Sequence, residues 1–239
     1  LFCGCSKDDT TLENAYNVFD TSTKYGITKT GNLQSAEFFA KDLCVTEDEN
    51  IGLEDTTESV AEGAGRVRLN EKEAVYKKNI YERLYPASTT KILTALIALE
   101  ESNLDDVVTV SANAANQASD SSVCGLKEGD QISMRDLLYG LMMRSGNDAA
   151  IAIAEHISGS SEEFAVLMNA KAQSLGATNS HFVTPNGLHD EDHYTTVYDM
   201  YLIMNAAVQN ETFVEILQTA SYTSNYTDAA GNPVTQDWA

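Results

Sequence analysis

The stretch Ile92-Leu93-Thr94-Ala95-Leu96-Ile97-Ala98-Leu99 constrains the folding of this chain more than any other. On a helix drawn through it, apolar residues cover nearly the whole circumference, so other elements must enclose it on most sides. Immediately before it stands Lys91 and, one helical turn earlier, Ser88, in Tyr85-Pro86-Ala87-Ser88-Thr89-Thr90-Lys91. Residues at i and i+3 share a helix face, so the amine reaches back to the hydroxyl. An ammonium at the mouth of a buried helix is costly without a partner, a cavity or a function. An amine that sheds its charge through desolvation is able to take a hydroxyl proton, which makes serine nucleophilic without histidine. Ser-x-x-Lys occurs once in the chain. The alternative for Ser88 is a plain helix N-cap.

A second polar element, Ser145-Gly146-Asn147, interrupts two stretches with helical apolar spacing, Met134 to Arg144 and Asp148 to Ile157. Gly146 marks the break. A hydroxyl and a carboxamide held at such a break are able to point into a cleft between packed helices. Ser111-Ala112-Asn113 has the same three-letter pattern, but Ser111 follows the β-like Val107 to Val110 and reads as a helix cap. Ser145 and Asn147 are therefore the candidates to join Ser88 and Lys91.

With these elements in place the chain resembles the penicillin-recognising serine enzymes, and among them the low-molecular-weight D-alanyl-D-alanine carboxypeptidases. The residues that carry the resemblance are Tyr76-Lys77-Lys78-Asn79, Tyr85 to Lys91, Asp136 to Leu141, Ser145 to Ala150, and Phe182-Val183-Thr184-Pro185-Asn186-Gly187-Leu188. It covers Ser59 to the end. It implies an α+β fold of the β-lactamase/transpeptidase kind, with an antiparallel sheet packed against an all-helical cluster. It also implies Ser88 as nucleophile, Lys91 as its base, Ser145 as proton relay and Asn147 as a substrate-amide ligand, with no cofactor. The implied partners are peptidoglycan stem peptides and β-lactams, met on the outer face of the bacterial membrane. A β-lactamase, a D,D-endopeptidase and a non-catalytic wall-peptide binder are the alternatives.

The resemblance further implies a Lys-Thr-Gly element downstream of the other two. There it supplies a cation for the substrate's carboxylate and one oxyanion donor, the other being the Ser88 N–H. The chain's Lys-Thr-Gly is Lys29-Thr30-Gly31, upstream of Ser88, and reads as a chance tripeptide. The expectation is that the C-terminal strands lie beyond Ala239, so that the 239-residue piece lacks part of the catalytic apparatus.

Residues 1–58 read as a leader followed by an acidic tether with some helix around Glu37 to Leu43. Leu1-Phe2-Cys3-Gly4-Cys5-Ser6 is similar to the end of a bacterial lipoprotein signal, with Cys5 as the lipid acceptor; two ordinary cysteines in a leader are the alternative. Residues 59–239 are the catalytic domain, with N-terminal strands in 59–85, a helical part in 86–220, and the start of a returning strand in 221–239. Gly65 to Leu69 and Ala74 to Lys77 read as a hairpin turning at Asn70-Glu71-Lys72-Glu73. Ser133 with Asp136 and Thr196 with Asp199 read as capping pairs, and Ser161 as a helix start.

The net charge of −21 excludes nucleic-acid binding and electrostatic docking on an anionic membrane, leaving only a lipid or terminal anchor for membrane attachment. Cys44 and Cys124 are open to two readings, a disulfide or two free buried thiols. His189 and His193 have the i, i+4 spacing of zinc ligands, but Gly187 precedes them and no apolar stripe runs through. They read as a solvated loop with no metal, and His156 reads as a partner of its helix dipole.

Overall fold

The computed structural model describes residues 40–52 and 60–239. The elements below belong to one compact unit, Asp42–Ala239. Cys5 and Lys29-Thr30-Gly31 lie outside the described residues, as do the first residues of the helix anticipated around Glu37. Residues 40–42 form a turn.

The hairpin forms where the alternating runs place it, as β1 (Ala64–Arg68) and β2 (Glu73–Lys78), paired antiparallel. Lys72 takes a positive φ of 53° at the turn. Residues 42–52 are not a tether. They lie along β2, with Ile51 bridged to Lys77 and the Lys77 ammonium donating to Thr46 Oγ1 and the Glu47 carbonyl. Cys44 is buried, its N–H donating to Tyr201 Oη and its carbonyl accepting from Tyr198 Oη. Backbone groups and long-range hydroxyls make this attachment, so no hydrophobic period advertises it in the sequence.

A single 3-10 turn, Ala87–Thr90, leads into α1 (Lys91–Glu101). Leu93, Ala95, Leu96, Ile97 and Ala98 of α1 are all buried, as the apolar circumference requires. Around α1 pack α3 (Met134–Met143), α4 (Asn147–Ser158), α5 (Ser161–Ser174), α6 (Val197–Ala207) and α7 (Glu211–Gln218). The short α2 (Ala112–Ala115) sits against α4. Side-chain oxygens satisfy the N-termini: Ser133 caps α3, Thr196 caps α6 and Ser111 caps α2. At α5 the cap is Ser160, one residue before the serine expected, and Gly176, with φ 84°, follows the helix end.

A second sheet runs in the order β3 (Val107–Thr109), β4 (Gln131–Ser133), β5 (Tyr222–Thr227), β6 (Pro233–Trp238), antiparallel throughout. The stretch read as the start of a returning strand is therefore a hairpin that joins β4. Among the described residues it makes no pairing with β1 or β2. Trp238 is buried against Gly140 of α3, where a Cβ would stand 3.2 Å from the indole. The mixed helical and antiparallel architecture is the α+β class expected. Among the described residues no helix is long and apolar enough to cross a membrane.

Phe164 of α5 is fully buried in the helical core. Phe164→Ala is expected to lower the unfolding free energy by about 3–5 kcal/mol. Urea titration followed by the fluorescence of Trp238, the one tryptophan, measures it.

Candidate active site

The head of α1 carries the site. Ser88 lies on the 3-10 turn and is solvent-facing, whereas Lys91, the first residue of α1, is 2% exposed. The turn is tight: Thr89 donates to the Pro86 carbonyl through its N–H at 3.2 Å and its hydroxyl at 2.7 Å. Ala87 is held at φ 48°, in the left-handed region that L-residues avoid, at a cost of order 1–3 kcal/mol. Ser88 makes no capping bond. Its Oγ instead accepts from Lys91 Nζ at 3.2 Å.

Lys91 Nζ has two further acceptors, Asn147 Oδ1 at 2.8 Å and the Asn186 carbonyl at 2.7 Å. Three elements thus converge on one nitrogen: the nucleophile turn, the start of α4, and the loop after Pro185. Burial lowers the Lys91 pKa to about 8, and the neighbouring Asp148 carboxylate pushes the other way. The three acceptors suit an ammonium, whereas burial favours the free amine. Burial thus brings the basic form of Lys91 expected from the sequence within reach of the neutral to mildly alkaline range.

Asn147 is brought to the pair; Ser145 is not in hydrogen-bond contact with it. Ser145 occupies the break between α3 and α4 at φ 52°, and its buried Oγ has no partner among the described residues. Such an unpaired hydroxyl costs about 1–3 kcal/mol. Ser111 is excluded as an alternative, since its Oγ caps α2 and donates to Glu155.

The loop after Phe182 wraps the turn. Thr94 Oγ1 donates to the Pro185 carbonyl at 2.6 Å, and Gly187, at φ 81°, presses so closely that a Cβ would strike the Ala87 carbonyl and Thr90 Oγ1. His193 fixes the same loop. Its Nδ1 accepts from the N–H groups of Val183 and Thr184, so Nε2 carries the proton and donates to Thr90 Oγ1 at 2.9 Å. His193 is only 1% exposed, so the reading of 189–193 as a solvated loop fails at this residue, while His189, Glu191 and Asp192 are exposed as expected. Burial pushes its pKa down to about 4. No group of ligating residues for a metal occurs among the described residues. Cys44 and Cys124 are both free and buried. His156 faces the Asp106 carboxylate at 3.5 Å as well as lying in the last turn of its helix.

Ser88 opens on a cleft of about 330 Å³, walled by Tyr85 and Pro86 on its own side, by Asp120 to Ser122, and by Gly187 and Leu188. An accessible hydroxyl backed by a desolvated amine defines a serine–lysine site suited to acyl transfer. Residues 55–235 match the family model described as D-alanyl-D-alanine carboxypeptidase, and the chain belongs to that family. It is 37% identical over 164 residues to the D-alanyl-D-alanine carboxypeptidase DacF of Bacillus subtilis, covering 66% of this chain and 42% of the relative. To DacC of Escherichia coli it is 42% identical over 141 residues, covering 55% and 35%. The chain thus spans less than half the length of these curated relatives. The crystal structure of the Streptomyces K15 DD-transpeptidase superposes with a TM-score of 0.70 at 32% identity, covering 77% of this chain and 75% of that one.

The neutral imidazole of His193 is favoured in the folded state, whereas an unfolded histidine takes up a proton near 6.5. Stability from this group is thus complete above about 6.5 and declines as pH falls toward about 4. Denaturant titrations across that window are expected to show a steeper loss for the unchanged protein than for His193→Gln.

Gly187→Ala is expected to displace the nucleophile turn and lower the melting temperature, read by scanning calorimetry, because both the steric clash and the positive φ oppose it.

Proposed function

We propose that this protein is a serine D-alanyl-D-alanine carboxypeptidase that removes the terminal D-alanine of peptidoglycan stem peptides and is acylated by β-lactams. The observation that supports it above others is the 3.2 Å contact between a buried Lys91 amine and the accessible Ser88 hydroxyl. In this reading the free-amine form of Lys91 takes the Ser88 proton as Oγ attacks the carbonyl joining the two D-alanines. The Ser88 N–H faces the developing oxyanion, and Asn147 holds the substrate's amide. Collapse of the tetrahedral adduct breaks the C–N bond, and Ser145 relays the proton taken up by Lys91 to the leaving amine, which returns Lys91 to its free-amine form. Water then cleaves the Ser88 ester and restores the serine.

Membership of a family of wall-peptide hydrolases supports action outside the cytoplasm. The proposed anchor is a lipid on Cys5, and loss of membrane retention in Cys5→Ala is the check.

Fluorescent penicillin is expected to label the protein covalently, and Ser88→Ala is expected to take no label; labelling of that variant overturns the proposal. Lys91→Ala should acylate about a hundredfold to ten-thousandfold more slowly. Because the amine must be uncharged to accept the proton, the acylation rate should rise with pH and reach half its plateau near a pKa of about 8. Stopped-flow labelling across the pH range measures it.

A further inference from the structure

Asp148, the second residue of α4, is 1% exposed and touches neither the Ser88 hydroxyl nor the Lys91 amine. Its Oδ1 accepts from the N–H of Cys124 and of Ala149, both at 2.9 Å. Its Oδ2 accepts from the N–H of Gly125 at 2.9 Å and of Leu126 at 3.0 Å. Four amides on one carboxylate fill its lone pairs. Three of them belong to one short segment, which continues directly from the cleft wall at Asp120 to Ser122. A second link runs beside it: the Asn147 N–H donates to the Ser122 carbonyl at 2.8 Å. Gly125 takes φ 85° and is surface-exposed, yet its amide points inward to this carboxylate.

We propose that Asp148 is a positioning residue, holding the 120–126 wall of the cleft against the Ser145-Gly146-Asn147 turn so that the Asn147 amide stays on Lys91. The inference rests on the acyl-transfer reading of Ser88. The carboxylate joins the two sides that must keep their spacing: α4, which carries Asn147, and the wall that lines the substrate's path. Backbone amides alone do not close this joint, because the 124–126 segment belongs to no strand or helix. The Cys124 thiol is wedged under it, so close to Gly140 and Gly146 that a Cβ on either would collide with the sulfur. That packing fixes the segment's height; its direction is set by the three amide bonds to Asp148, with the Gln236 side-chain amide donating to the Cys124 carbonyl at 2.7 Å.

Asp148 also bears on Lys91 through charge. Of the titratable groups beside Lys91, Asp148 favours the ammonium, whereas burial pushes the Cys124 thiol well above its usual range and keeps it neutral where Lys91 titrates. His193, beyond Thr90, stays neutral above about pH 4. Asp148→Asn keeps the shape but turns one acceptor into an NH₂ facing backbone donors, and it removes the negative charge. Fluorescent-penicillin acylation of this variant, per folded molecule, is expected to fall about ten- to a hundredfold at its high-pH plateau, the penalty of misplacement by about an ångström. The acid limb is expected to move to lower pH, because the ammonium has lost a stabilising neighbour. Hydrogen exchange on the unchanged protein should show slow amides at 124–126 despite the exposure of Gly125. An unchanged plateau in Asp148→Asn overturns the inference, as does rapid exchange at 124–126. A lowered plateau with an unmoved limb and protection lost throughout the core marks general destabilisation and overturns it too. If the variant does not fold, the exchange measurement decides alone. Absence of any label on the unchanged protein defeats the reading of Ser88 instead, which keeps the two failures apart.

Discussion

An amine inside an apolar helix bundle, hydrogen-bonded only to neutral groups, is the constraint on which the rest depends. Lys91 gives its three hydrogen bonds to a hydroxyl, a carboxamide and a backbone carbonyl. A carboxylate in the same place would lock the ammonium and remove its use as a base. Neutral acceptors satisfy the donors and leave the charge marginal. They must then be held rigidly, because each is a poor substitute for water unless well aligned. The nucleophile turn, the start of α4 and the loop around Asn186 are the three supports.

Those supports carry unfavourable backbone. Ala87 and Ser145 both sit at positive φ, one on each side of the amine's pocket, and Gly187 fills the space a side chain would need. Conformations of this kind persist only where the surroundings over-determine them. Here the buried faces of α1, α3 and α4 do so, with Leu93, Leu137, Leu138 and Ile153 all fully enclosed. The core is thus also the mould of the site.

Local rules made part of this legible in the sequence. The apolar circumference of α1, the caps at Ser133 and Thr196, the β1–β2 turn and the break at Gly146 follow from propensity and spacing alone. The Ser88–Lys91 contact follows from helical periodicity. What escaped the sequence was burial produced by distant partners. His193 lies in a segment without period and is enclosed because Thr90 and the 183–184 amides, far away in the chain, converge on it. Residues 42–52 look like an acidic linker because their attachments are backbone groups and the hydroxyls of Tyr198 and Tyr201. Asp148 reads as an ordinary acidic residue in a first helical turn, and nothing local announces that three foreign amides meet it.

The attachment of Ile51 to Lys77 also fixes how the first sheet is able to grow. β2 has β1 on one side and residue 51 on the other, so its hydrogen-bonding capacity is engaged from both directions. β1 has a neighbour on one side only among the described residues. A strand added to this ladder meets a fully open edge at β1, whereas at β2 it would have to displace the bridge at Ile51.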